Sequence, residues 1–352
     1  MLAILVVSGA LIVAWLLFWP FGGRFPRTAV VARAAENNAL GSLDTVWFES
    51  HGTQIEAWLF VPHHSNGAVV VMASGLTSTK DCLLDPFAWN AVSCGYAVLL
   101  FDFRTFGGSG GLPRHHVDPL QQVEDYGAAI AFAGRRFGKV VLWGSSFSGG
   151  EAIVAASQHP DQVVGVIAQV PYLETAPHLE PKGLRLVRFI ALTSLDLARA
   201  AISPRLPPVY MRAFGRPGEF AFYVSQENPS AACDDGRDPR AHPFWQALPS
   251  QIRGGWRNVM AARMLARLDE HRPLDALVRL QCPLLLIGAA QDEAILASQL
   301  VHAASMLPAG QVELHIFDCP HFAVYLPPLL EQNLHVQAQF LRSRAQPSES
   351  GG

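Results

Sequence analysis

The sequence predicts an α/β protein: a mostly parallel, doubly wound sheet with an inserted, mainly helical lid. Three observations carry that prediction. Short, mostly apolar runs recur at Ala68–Ala73, Ala97–Phe101, Val140–Trp143, Val163–Ala168, Pro283–Ile287 and Val312–Phe317. Runs of this length suit strands buried on both faces of a parallel sheet. Helical stretches lie between them, at Pro86–Cys94, Val117–Arg136, Ser148–His159 and Ala294–Ser305, and such alternation means helices packed on both sheet faces. The pattern breaks once, from about Pro171 to Gln281, where the chain turns helical and strand-poor.

Taken in order, Leu2–Trp19 is apolar with no charge. At 1.5 Å per residue it covers about 27 Å, close to the hydrocarbon thickness of a bilayer. No Lys or Arg precedes it, as a signal peptide would have, and Arg24, Arg27 and Arg33 follow it. We therefore expect a membrane anchor over residues 1–21, with an atypical signal peptide and a docked helix as alternatives. The positive flank places the catalytic part on the cytoplasmic side. A Gly- and Pro-containing linker follows over residues 22–42. Thr45–Ser50 and Gln54–Phe60 alternate around Ser50-His51-Gly52 and predict an antiparallel hairpin. The core covers residues 43–170 and 282–344, the lid 171–281, and a last helix Leu326–Arg342 precedes a soft tail over 345–352.

Composition sets outer limits. With 352 residues, 50% apolar and 16% charged, the chain can bury a large core and is neither disordered nor fibrous. A net charge of −3 gives no electrostatic grip on nucleic acid. The five cysteines are scattered, with no CxxC pair; this predicts free thiols, no disulfide framework and no metal site. Lysine occurs three times among 26 basic residues.

The chemistry centres on Val140-Val-Leu-Trp-Gly144-Ser145-Ser146-Phe147-Ser148-Gly149-Gly150. An apolar strand running through small residues into a helix is the context of a nucleophile elbow, where a serine sits on a sharp, strained turn. Ser146 is the predicted nucleophile, flanked two residues away by Gly144 and Ser148. Ser148 is a rival, and Ser145 a more remote one. A serine needs a base and the base needs an orienting acid, in the chain order Ser, acid, His for this arrangement. His321, just past the last strand, is the predicted base. Asp292, past the preceding strand, is the predicted acid, with Glu293 and Asp318 as substitutes. The oxyanion requires two backbone donors, read as Phe147 N–H and, in Ala73-Ser74-Gly75-Leu76-Thr77, Leu76 N–H. The segment Phe101–Gly110 reads as loop-stabilising, with Asp102 and Arg104 paired.

On these residues the chain resembles the α/β-hydrolase superfamily over about residues 43–343. It is similar to a branch of bacterial hydrolases and fungal polyketide transferases and thiohydrolases. The shared pieces are the elbow Leu142–Gly150, the loop Phe101–Gly111, the stretch Gly215–Glu219 and the terminal motif His321–Tyr325. The resemblance implies hydrolysis of an acyl ester or thioester, or acyl transfer, through a serine ester and without any cofactor. In two places the chain departs from the branch. No proline follows soon after Asp292, and Ser74-Gly75 stands where a His-Gly pair is usual.

The lid is rich in bulky apolar residues, and Phe189, Trp245 and Trp256 are candidates for contact with the acyl chain. It carries 15 basic and 11 acidic residues, a balance that suits either an anionic leaving group or solvated arginines. The expected partners are a small-molecule acyl ester or thioester and a membrane, with no nucleic acid; nothing in the sequence sets the oligomeric state. Three functions fit: a serine esterase or thioesterase, an acyltransferase with the same triad, and a non-catalytic binding protein on the same scaffold. A binding protein would show a broken triad, and every member is present.

Overall fold

The computed structural model describes residues 37–215, 217–225 and 257–343. The first hairpin joins β1 (Gly41–Ser50) to β2 (Thr53–Pro62). Then follow β3 (Ala68–Ala73), α1 (Asp85–Ser93), β4 (Ala97–Phe101), α2 (Pro119–Phe137), β5 (Lys139–Ser145), α3 (Phe147–Gln158) and β6 (Val163–Gln169). After β6 come α4 (Gly183–Ile202) and the two-residue strands β7 (Tyr210–Met211), β8 (Phe214–Gly215), β9 (Tyr223–Val224) and β10 (Met260–Ala261). The short helix α5 (Pro273–Leu277) leads back to β11 (Leu284–Ala289), α6 (Ala297–Ser305), β12 (Val312–Phe317) and α7 (Leu329–Ser343).

Eight strands form one sheet in the order β1-β2-β4-β3-β5-β6-β11-β12. The first hairpin and the β2–β4 pair are antiparallel. The remaining pairings are parallel. Successive side chains of a strand point to opposite faces, and this alternation divides the core in two. Val69, Val71 and Ala73 of β3 join Leu99, Leu142, Tyr126 and Ile153 on one side, against α2 and α3. Val70 and Met72 join Val98, Leu100, Val141 and Trp143 on the other, against α1 and α7. With both faces covered, β3, β4 and β11 are buried along their whole length.

The last strand departs from the sequence expectation. β12 pairs only with β11, and its residues are half-buried or exposed. Its segment, VELHIF, carries Glu313 and His315 at alternate positions, which is the pattern of a strand with an open flank and not of one buried on both faces.

Strand order reverses between β3 and β5, and ligands of open α/β sheets bind beyond the carboxyl ends of strands at such a point. The segment between β6 and β11 emerges at that edge, and its described part contains α4 and the short strands. No helix among the described residues is long and apolar enough to cross a membrane. The anchor expected over Leu2–Trp19 lies outside the described residues, as do Trp245 and Trp256.

Candidate active site

Ser146 lies between β5 and α3 with φ 56° and ψ −121°. A side chain in this region is strained, and such a conformation persists only where the surroundings over-determine it. Here they do. Ser146 N–H donates to Gln169 O at 2.8 Å, and Ser146 O accepts from Gly149 N–H at 3.0 Å and Tyr172 N–H at 2.9 Å. The flanking positions leave no room for larger residues: a Cβ on Gly144 would stand 2.2 Å from Ser148 O.

The two rival serines are both consumed by structure. Ser148 is fully buried; its Oγ accepts Ser145 N–H at 2.9 Å and donates toward Ala73 O at 2.9 Å. Ser145 Oγ makes a very short hydrogen bond with Tyr325 Oη and also lies 3.3 Å from Gln169 O. Among the three, Ser146 alone lines the large cavity at the sheet edge.

His321 and Asp292 meet from loops 29 residues apart, with His321 Nδ1 2.5 Å from Asp292 Oδ2. Both are buried. The other carboxylate oxygen, Asp292 Oδ1, accepts Ala294 N–H at 2.7 Å and Ile295 N–H at 2.9 Å. Two backbone donors thus orient the acid with no proline following it. Its sequence substitutes are engaged elsewhere: Glu293 Oε2 accepts from Ser225 Oγ at 2.6 Å, and Asp318 Oδ1 from Gln291 Nε2 at 3.0 Å.

The loop after β3 passes directly over the elbow. A Cβ on Gly75 would come within 3.0 Å of both Ser145 O and Ser146 Cβ. That close approach brings Leu76 to the same cavity as Ser146, Phe147 and His321. Among the described residues, neither Leu76 N–H nor Phe147 N–H donates to a backbone carbonyl. Phe147 also begins α3, where the first N–H groups carry the positive end of the helix dipole.

The cavity holds about 720 Å³. Phe189, Ile190, Leu186, Phe214, Phe222 and Ile295 are among its apolar walls. Its described lining contains Glu180 and Asp269 but no Lys or Arg. The basic excess of the lid therefore does not line the described cavity. Free thiols stand as expected at Cys82, Cys94, Cys282 and Cys319; Cys233 lies outside the described residues. Cys319, despite its place near His321 in the chain, is buried in the core and absent from the cavity wall. Burial pushes the Cys82 thiol up to about 12. No group of three or more metal-ligating side chains occurs among the described residues.

The expected Asp102–Arg104 pair is not formed. Each residue finds a partner from another element. Arg104 Nε donates to Asp125 Oδ1 of α2 at 2.8 Å. Asp102 Oδ2 accepts from Lys80 Nζ at 2.5 Å and from Gly108 N–H at 2.9 Å. Lys80 also reaches Glu56 Oε1 at 2.8 Å, and all three side chains are buried. Burial pulls the Lys80 ammonium down, but Asp102 and Glu56 more than offset this and leave it raised. Sequence reading missed this triad; its one visible signal was one of only three lysines among 26 basic residues.

A second polar assembly was also missed. Gln169 Oε1 accepts from Asn333 Nδ2 at 2.7 Å and Gln337 Nε2 at 3.1 Å, while Gln337 Oε1 accepts Trp143 Nε1–H at 2.8 Å. Asn333 Nδ2 further donates to Val324 O at 3.0 Å. The network ties α7 to β5, β6 and the loop that carries His321.

The family described as "Serine aminopeptidase, S33" matches residues 64–319. This chain belongs to that family. Its fold is accordingly the α/β-hydrolase fold, as the elbow and the strand order had implied. The quorum-quenching protein AidA of Acinetobacter baumannii is 29% identical over 307 residues, covering 84% of this chain and 93% of AidA. Thiohydrolase apmlB of Arthrinium phaeospermum is 27% identical over 274 residues, 75% of this chain and 84% of that one. Polyketide transferase grgF of Penicillium sp is 30% identical over 133 residues, 37% of this chain and 45% of the transferase. The crystal structure of α/β hydrolase GrgF from Penicillium sp. sh18 has the same fold, with a TM-score of 0.66, 20% identity, and coverage of 86% of this chain and 99% of that one.

Proposed function

We propose that this S33-family protein is a serine hydrolase that cleaves a carboxylic ester or thioester through an acyl-serine intermediate. The observation that carries the reading is the buried His321–Asp292 contact at 2.5 Å opening on the cavity that also contains the strained Ser146. In this mechanism Asp292 holds Nδ1 of His321 and stabilises the imidazolium, while Nε2 takes the Ser146 proton. The Ser146 oxygen attacks the acyl carbon, and the developing oxyanion is received by Leu76 N–H and Phe147 N–H. Collapse expels the alcohol or thiol, which leaves with the proton held by His321. Water, deprotonated by the same imidazole, then releases the acid. The lid segment and Phe189 hold the acyl chain; the absence of cations from the described lining favours an uncharged leaving group.

Acyl transfer is the second reading, favoured by the likeness to a polyketide transferase. There, an alcohol or amine replaces water in the second half-reaction, and product analysis with an added acceptor separates the two. Attachment to a membrane through Leu2–Trp19, with the catalytic part in the cytoplasm, belongs to the proposal as well. Membrane fractionation with and without residues 1–21, together with protease protection, tests it.

The decisive experiment is labelling with a fluorophosphonate and mapping of the modified peptide. Modification of Ser146, lost in His321→Ala, is the expected outcome; a folded protein that takes no label would end the serine-hydrolase reading. Ser146→Ala and His321→Ala should each lower turnover about 10⁴-fold or more, with Asp292→Asn no more severe than either.

A further inference from the structure

The helix α4 turns an apolar face to solvent. Leu184 is 74% exposed, Val187 60%, Ile190 57% and Ile202 51%, and Leu197 is exposed as well. With Ala191, Ser194, Ala198 and Ala201, these positions recur at steps of three and four over five turns, so they form one stripe along the helix. An apolar face of this length left open to water signals an interaction surface.

Two further observations say what covers it. The exposed charges beside the stripe are Lys182, Arg188 and Arg205. No acidic residue between 182 and 205 is exposed; Asp196 is buried, bonded to Arg263 Nε at 2.9 Å and Val209 N–H at 2.8 Å. An apolar stripe whose exposed charges on the helix and its flanks from 182 to 205 are all basic is complementary to an anionic lipid surface, with the exposed acids Glu180 and Asp269 set at the cavity itself. The stripe is also continuous with the cavity. Leu186 and Ile190 line the cavity and are themselves exposed, which places them where it opens. A protein laid flat on α4 would cover that opening, whereas a lipid surface would deliver an apolar acyl chain through it.

We propose that α4 is a membrane-docking helix that lies on an anionic lipid surface and admits apolar substrate from the lipid phase along Leu186 and Ile190. The helix lies on the bilayer and does not cross it. The docking is separate from any tether at Leu2–Trp19.

Hydrogen exchange of the full-length chain, with and without phosphatidylcholine vesicles containing phosphatidylglycerol, tests the surface directly. Vesicles should slow amide exchange in residues 184–202 about tenfold, and L184E/V187E/L197E should abolish that protection. These three residues do not line the cavity, so turnover of a water-soluble short-chain ester should be unchanged in the variant. Turnover of a long-chain ester embedded in vesicles should fall about tenfold. Because wild type and variant share the N-terminal segment, tethering cancels between them. Exchange at 184–202 indifferent to vesicles overturns the proposal. So does protection that grows with protein concentration alongside a dimer mass, which would make a second copy the occupant. Protection already present in a vesicle-free monomer overturns it too, because the chain itself would then cover the stripe. If the triple variant does not fold, V187E and the wild-type exchange data decide. The exchange measurement needs no catalysis, so a protein inert toward every ester would end the hydrolase reading while still deciding the docking.

Discussion

A Cβ on Gly144 would stand 2.2 Å from Ser148 O and 2.8 Å from Gly149 N, backbone atoms that cannot step aside. Gly144→Ala must therefore shift the elbow or fail to form it. We expect a clear drop in melting temperature and loss of fluorophosphonate labelling at Ser146; unchanged labelling would show that the turn has more room than its geometry indicates. His271 makes a different prediction. Its ring stacks on Tyr172 at 5.9 Å and lies 5.1 Å from Phe147, yet among the described residues neither ring nitrogen has a hydrogen-bond partner. Burial lowers its pKa to about 4. The unfolded chain, with an ordinary imidazole, therefore binds more protons between about pH 4 and 6.5, so stability falls as pH drops through that window. The slope from one such group is at most about 1.4 kcal/mol per pH unit. His271→Phe keeps the ring and removes the proton sink. Urea midpoints at pH 7.5 and pH 5 should differ less in the variant than in wild type, and an equal acid loss in both would sink the assignment.

Lys80 acts at the level of elements. It follows the loop that carries Gly75 and Leu76, and it ties that loop to β2 through Glu56 and to the end of β4 through Asp102. Its backbone N–H adds a bond to Asp102 Oδ1 at 2.8 Å. Removing one member of a buried ion cluster strands the others without compensation. Lys80→Met should destabilise the protein by about 3–5 kcal/mol in urea unfolding. If the folded fraction survives, turnover should fall more than substrate affinity, since the loop carries Leu76, the proposed oxyanion donor. Unaltered unfolding would mean that the two carboxylates are protonated or hydrated in the native state. The network of Gln169, Asn333, Gln337 and Trp143 does comparable work for His321, because α7 is bonded both to the sheet and to Val324 in the loop after His321.

At the scale of the whole molecule, the cavity links fold to selectivity. About 720 Å³ with apolar walls, opening beside α4, suits an acyl group far longer than acetyl. Each buried methylene contributes about 0.8 kcal/mol, so kcat/KM for a series of linear p-nitrophenyl esters should rise up to about fourfold per carbon until the space is filled. A flat series would show that the walls pack only against one another.

The elements were legible in the sequence to within a few residues. Asp85–Ser93 and Phe147–Gln158, for example, differ from the sequence expectation by one residue at each end. Such segments are set by local hydrophobic pattern and turn chemistry, which one stretch of chain contains in full. The elbow was legible for the same reason: Gly144, Ser146 and Ser148 form a continuous string whose conformation is decided within a few residues. By itself, then, the sequence determined the α/β alternation, the strained serine turn, and the loops bearing Asp292 and His321. Only the tertiary structure showed that Ser146, and not Ser145 or Ser148, faces the cavity, and that Asp292, rather than Glu293 or Asp318, meets His321, because each contact depends on partners tens of residues away. It also replaced the expected Asp102–Arg104 pair by Lys80–Asp102 and Arg104–Asp125, since charges pair by distance in space and not along the chain. The open flank of β12 was legible in the alternating Glu313 and His315, but the exposed stripe of α4 was not: a sequence records which residues are apolar, and only the packed chain determines which of them are left facing water.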